Sequence, residues 1–187
     1  MNLSKANRSL EIPIINSGKF VLEPFSDKFM TEKYISWLNN KNIVKFSEQR
    51  HYYHTKETCI SYFQTLNNST HFMWAILGKD EKIHIGNVNV HIDINNSIAD
   101  IGILIGDISH WGKGLGTDVF IEVIKFLFFE RNIRKITAGC IAENKGMINV
   151  LLKLGMKEDG VRKNHHLLNG KEVDIVYMCL FNKNFSY

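Results

Sequence analysis

Three glycines recur at alternate positions in His110-Trp111-Gly112-Lys113-Gly114-Leu115-Gly116-Thr117. Before them lie residues 97–105 (SIADIGILI), apolar and β-branched enough for a strand; after them lie residues 118–130 (DVFIEVIKFLFFE), long enough for a helix. Glycine admits φ > 0 and lets a ligand approach the backbone closely. A helix start offers unpaired N–H groups and the positive end of the helix dipole. A glycine-rich turn at such a start is an anion site, suited to a phosphate or pyrophosphate.

Spacing narrows the ligand. A triphosphate loop needs G-x-x-x-x-G-K-[ST], and here Gly112-Lys113 is followed by Gly114. A dinucleotide fingerprint needs G-x-G-x-x-G; counted from Gly112, the third glycine falls one residue early, at Gly116. What fits is x-x-G-x-G at a strand–helix turn. On these residues the sequence resembles the GNAT superfamily of acetyl-CoA-dependent N-acetyltransferases, whose loop reads [QR]-x-x-G-x-[GA]. Trp111 stands where that family has Gln or Arg, and the form WGKGLGT resembles the branch of ribosomal-protein N-terminal acetyltransferases. A second family motif, N-x-x-[SA]-x7-G-[FY], is matched at Asn144 and Gly155, with Met147 and Met156 replacing the small and the aromatic residue.

The resemblance implies that Trp111, Gly112, Lys113, Gly114, Leu115, Gly116 and Thr117 bind the pyrophosphate of acetyl-CoA, and that no metal takes part. It also implies that a backbone N–H within Ile103, Leu104 and Ile105 meets the thioester carbonyl, and that Asn144 bonds the cofactor arm or an ordered water. A plain helix cap is the other reading of Asn144. The acceptor amine must lose a proton, since a lysine-like amine has a pKa of ~10.4 in water. Asp100, in Ala99-Asp100-Ile101-Gly102, is the first candidate for the base, acting through water; otherwise it is an exposed residue on a strand face. Asp107 reads as a turn former. The tyrosine that many GNAT enzymes use as acid falls at Leu151 here. A thiol pKa of ~8.5 makes a strong acid optional. Cys140 would allow a covalent route, but no His is placed by sequence to activate it, so direct attack is expected.

The acceptor side is read from Glu48, Arg50, Tyr52 and Tyr53. In the GNAT fold their loop borders the acceptor pocket: rings can stack on a sugar or base, and Arg50 can hold a phosphate or carboxylate. An ordinary surface loop is the alternative. His51 and His54 have metal-like spacing but no further ligands to complete a site.

These residues need a scaffold, and patterning supplies one. Strands are expected over residues 19–24, 72–77, 82–93, 97–105, 135–140, 156–163 and 173–181, with turns at residues 78–81 and at Asn169-Gly170. Helices are expected over residues 27–39, capped by Asp27, and over residues 55–66, 118–130 and 147–154, the last stopped by Gly155. This order resembles the GNAT fold: one α/β domain over residues 19–187, with a mixed, mostly antiparallel sheet of about seven strands and about four helices. Residues 1–18 read as an irregular arm whose Ile12-Pro13-Ile14-Ile15 patch packs on the domain.

The 187 residues are enough for one domain with a core, and 44% apolar with 22% charged residues is ordinary globular composition. A net charge of +4 suits an anionic cofactor without pointing to nucleic acid. Three cysteines without ligand spacing read as reduced thiols of a cytoplasmic protein, and neither a signal peptide nor a membrane-length apolar run is evident. The expectation is a monomeric or homodimeric N-acetyltransferase. Its acceptor would be a small-molecule or peptide amine, with an amino sugar or sugar nucleotide favoured. The alternatives are a ribosomal-protein-like N-terminal acetyltransferase and a CoA-binding module without turnover.

Overall fold

A computed structural model of the chain describes residues 12–66, 70–79 and 82–186. Among them, eight strands form one sheet: β1 (Ile15–Asn16), β2 (Phe20–Pro24), β3 (His71–Gly78), β4 (His84–Asp93), β5 (Ile98–Ile105), β6 (Lys135–Ile141), β7 (Lys157–Leu168) and β8 (Lys171–Phe181). Their spatial order is β1-β2-β3-β4-β5-β6-β8-β7, and the β5–β6 pair alone is parallel. The helices are α1 (Glu32–Leu38), α2 (Lys56–Leu66), α3 (Leu115–Lys125) and α4 (Lys145–Lys153). They cover both faces, which is why β3 is apolar at successive positions. Phe72, Trp74 and Ile76 join Val119, Phe120 and Leu151 of α3 and α4 in one core, while Met73, Ala75 and Leu77 join Tyr34, Trp37 and Cys59 of α1 and α2 in the other.

This is the expected mixed, mostly antiparallel architecture with one strand more. The arm ends in β1, a two-residue edge strand too short to show as a pattern, and its Ile12 and Ile15 pack on the larger core. Trp74 Nε1 donates to Pro13 O at 2.7 Å. Residues 1–11 of the arm, and Asp80 and Glu81 of the expected turn, lie outside the described residues.

Helix boundaries depart from expectation for local reasons. Asp27 does not cap α1; it begins a 3₁₀ turn, Asp27–Phe29, that drives Phe29 and Met30 inward. Thr31 is the cap, its Oγ1 accepting from Tyr34 N–H at 3.3 Å. Thr55 and Thr58 cap α2 reciprocally, each hydroxyl accepting the other residue's N–H. The helix expected from residue 118 begins earlier, at Leu115, because Gly114 in the left-handed region supplies the entry turn. It then widens into a π-helical turn over Phe126–Glu130. Asn144 caps α4, which begins at Lys145, two residues before the expected start. Asn169 and Gly170, both with positive φ, make the β7–β8 turn as expected.

Trp37 fixes α1 over the end of the central strand. A Cβ on Gly106 would lie 2.0 Å from the Trp37 ring, so only glycine lets the helix dock there. Gly106→Ala is expected to lower stability by about 1–3 kcal/mol, the usual cost of overpacking, read as a fall in urea midpoint with unchanged slope. An unshifted midpoint would contradict this contact.

Candidate active site

The site begins where the sheet comes apart. β5 pairs with β4 along its whole length but with β6 only at Ile98, Ala99 and Asp100. Beyond Asp100 the two parallel strands diverge. Ladder alternation decides which groups face the opening. Gly106 N–H donates to Ile85 O on the β4 side at 3.0 Å, whereas Ser97 O accepts Arg134 N–H from the β6 side at 2.8 Å. Even-numbered residues of β5 therefore turn their peptide groups to β4 and odd-numbered ones to β6. Ile101, Ile103 and Ile105 aim theirs into a gap β6 no longer fills, while Leu104 N–H faces β4. Of the three residues expected to meet a carbonyl, Ile103 and Ile105 have the required direction.

The gap opens into a cleft of about 990 Å³, lined by the end of β5, the glycine loop, the end of β6 and one side of α4. Trp111 ties the loop to the strand: its Nε1 donates to Ile105 O at 2.8 Å. Gly112 and Gly114 have φ of 70° and 85°, and a Cβ on either would meet nothing within 4 Å, so the loop backbone is open. Gly114 caps α3 without any side-chain bond, so no side chain occupies the N–H groups of Leu115, Gly116 and Thr117 from that position. Such a cradle fits a pyrophosphate. Lys113 is exposed and outside the cleft lining; Lys45 and Lys153 line it instead. Those two cations escaped the sequence reading because neither lies in a motif.

Asp100 sits where β5 and β6 part. Thr137 Oγ1 donates to its Oδ2 at 2.6 Å. The carboxyl retains solvent-accessible area, yet burial among the strands raises its pKa above the ordinary carboxylate value, an effect that Thr137 and His91 partly offset. Asp107 is a turn former as expected: Ser109 N–H and Oγ both donate to its Oδ1, and the Ser109 hydroxyl leads in lowering its pKa. Asn144 lines the cleft while its Oδ1 accepts Met147 N–H at 3.1 Å. The oxygen therefore caps α4, and the amide NH2 is the part left to meet a ligand. Leu151 is fully buried in the core and offers no proton. Tyr177, missed by the sequence reading because β8 is remote in the chain, supplies a phenol to the cleft, its ring against Gly139. Burial pushes the Cys140 thiol up to about 11, so it stays protonated near neutrality and is a poor nucleophile.

A smaller cavity of about 560 Å³ adjoins the cleft, sharing Gly102, Ile103 and Leu104 with it. Its wall includes Tyr34, Tyr52, Tyr53, Tyr62, Asn87 and Asn89, and among the described residues no Asp, Glu, Lys or Arg lines it. Tyr52 and Tyr53 are thus brought to one space, and both are largely exposed. Arg50 is not: its guanidinium donates to Ser47 O, Glu48 Oε1 and Leu167 O, tying the loop to β7, and it lines neither cavity. Glu48 lines the larger cleft, within 3.3 Å of His166. His51 lies beside Glu48, and His54 is clasped by Asn39 and Gln49. Among the described residues no group of three or more His, Cys, Asp or Glu could hold a metal ion, and no helix is long and apolar enough to cross a membrane.

Comparison with known proteins places this geometry. Residues 19–157 match the family model "Acetyltransferase (GNAT) domain". The uncharacterized N-acetyltransferase p20 of Bacillus licheniformis is 28% identical over 114 residues, 60% of this chain and 64% of that protein. The [ribosomal protein uS5]-alanine N-acetyltransferase of Escherichia coli is 27% identical over 118 residues, 62% of this chain and 60% of that one. The chain thus spans less than two thirds of the length of either relative. In fold it is similar to a spermidine N-acetyltransferase from Vibrio cholerae, solved with CoA and spermine, with a TM-score of 0.81, 19% identity, and coverage of 90% of this chain and 98% of that one. With a parted central strand, a glycine loop at a helix start and a family model matched from the first long strand to the start of β7, this chain belongs to the GNAT family of acetyltransferases.

Proposed function

We propose that this chain moves an acetyl group from acetyl-CoA to the primary amine of an amino sugar by direct attack. The observation that carries the reading is the junction at Gly102, Ile103 and Leu104, where the anion-binding cleft meets a neutral, tyrosine-rich cavity. When bound, acetyl-CoA supplies the acetyl group as a reactive thioester. The backbone of Gly112, Gly114 and residues 115–117 holds its pyrophosphate, and Lys45 and Lys153 offset its charge. Ile103 and Ile105 direct N–H groups to where carbonyl charge grows. Asp100 receives the amine's proton through water, and its raised pKa makes it a better base than an exposed carboxylate.

The acceptor class follows from the smaller cavity. Tyr52 and Tyr53 offer flat faces, and Asn87 and Asn89 offer both donors and acceptors, a combination that suits the faces and hydroxyls of a sugar ring. A polycation would seek carboxylates there, and a sugar nucleotide's phosphate would seek a cation; the wall has neither, and Arg50 is committed elsewhere. The acceptors named for similar proteins, a polyamine and a ribosomal protein, are the competing classes. The test is kcat/KM for an aminohexose, spermidine and a short Ala-initiated peptide. The aminohexose is expected to exceed both others by at least ~10-fold, the scale at which unmatched polar groups discriminate. Spermidine or the peptide in first place would reassign the acceptor.

A further inference from the structure

A row of polar side chains crosses four adjacent strands on the face covered by α1 and α2. His71 of β3 stands opposite His91 of β4, His91 opposite Asp100 of β5, and Asp100 opposite Thr137 of β6. The two imidazoles touch through His91 Nδ1 and His71 Nε2, their ring centroids 4.0 Å apart. Directly opposed residues of an antiparallel pair hold their Cβ atoms about 4.5–5.5 Å apart, so His91 stands beside both Asp100 and His71; its ring touches His71, while the Asp100 carboxylate takes its hydrogen bond from Thr137. One end of the row is the carboxyl in the cleft. The other is a pair of imidazoles, His91 exposed and His71 half-buried. The acetyl-transfer reading leaves both histidines without a task.

His91 faces His71 from β3, Asp100 from β5 and Asp93 along its own strand; Thr137 of β6 is neutral, and α2 packs Ile60, Phe63 and Leu66 over this face. Burial, then the neighbouring His91, lowers the pKa of His71 below the ordinary imidazole value. Proton energetics give the pair a purpose. Moving a proton from a lysine-like amine to a carboxylate is uphill by roughly 6 pH units, and to an imidazole by roughly 4. An imidazole behind the carboxylate makes the transfer less unfavourable and restores the base.

We infer that His91 and His71 carry away the proton that Asp100 takes from the acceptor amine. Through one intervening water, an O–H bond breaks at the Asp100 carboxyl and an N–H bond forms at His91, the water giving one proton as it takes the other. The proton then leaves to water from His91 or through His71, so charge returns to its starting distribution and nothing is oxidised or reduced. The inference rests on Asp100 acting as the base.

The test compares His91→Gln, His71→Gln and Asp100→Asn by kcat from pH 6 to 9, with and without added imidazole. His91→Gln is expected to lose about 10-fold in kcat near neutrality, below the full scale for general-base loss, with KM for acetyl-CoA unchanged. The deficit should shrink as pH rises and be restored in part by free imidazole, a readout that reports on whatever fraction folds. His71→Gln should show a smaller loss of the same kind. Wild-type kcat in His91→Gln at every pH would overturn the relay, as would a deficit constant with pH and indifferent to imidazole. If Asp100→Asn is impaired and His91→Gln is not, only the relay fails; if Asp100→Asn keeps full activity, the base assignment fails and takes the relay with it.

Discussion

Asp100→Asn is expected to lower kcat by ~10²-fold or more, the usual scale for a lost general base. The loss should fall mainly on kcat, because the cofactor cradle at residues 112–117 lies on a separate loop. Its pH dependence distinguishes the role. Burial raises the Asp100 pKa, so wild-type activity rises with pH through a value above the ordinary carboxylate range, as the carboxylate form accumulates. Asn has no such form and lacks that limb. As pH approaches the amine's own pKa, free amine needs no base and the deficit should narrow. An acceptor-positioning role would instead raise KM and persist at high pH. Wild-type kcat and KM across the range would remove Asp100 from the mechanism.

Gly114→Val is expected to weaken acetyl-CoA binding by ~10-fold or more while the fold survives. Gly114 has φ of 85°, a conformation costing a residue with a Cβ roughly 1–2 kcal/mol, and more for a branched one. An added Cβ would meet no atom within 4 Å, so packing at that position does not resist it. The strain is therefore relieved by moving the loop, and the N–H groups of residues 115–117 lose their alignment with the cleft. Isothermal titration should show the fall in affinity with a circular dichroism spectrum like the wild type's. Unchanged affinity in a folded variant would separate this loop from the pyrophosphate.

The parts legible in the sequence are those fixed by neighbours along the chain. Glycine spacing between a strand and a helix marked residues 112–116, and the Asn169-Gly170 turn announced its hairpin. What stayed hidden depends on remote partners. The parting of β5 from β6 has no sequence pattern, since both strands remain apolar where pairing stops. Arg50 read as free for a ligand because its acceptor, Leu167 O, lies 117 residues away. The smaller cavity is assembled from α1, α2, β3, β4 and β5, so only Tyr52 and Tyr53 were visible as candidates, while Tyr62, Asn87 and Asn89 were not. Asn144 is ambiguous at both levels, since a cap and a cleft residue are the same side chain seen from two sides.

Transfer itself is tested most directly by initial rates of CoA-thiol release with acetyl-CoA and an aminohexose varied together. The account predicts release that depends on both, matched by acetylated sugar, with intersecting double-reciprocal lines, as direct attack within a ternary complex requires. Acetyl-CoA bound without amine-dependent thiol release would contradict it and leave a binding module. Parallel lines with an acetylated Cys140 would contradict direct attack.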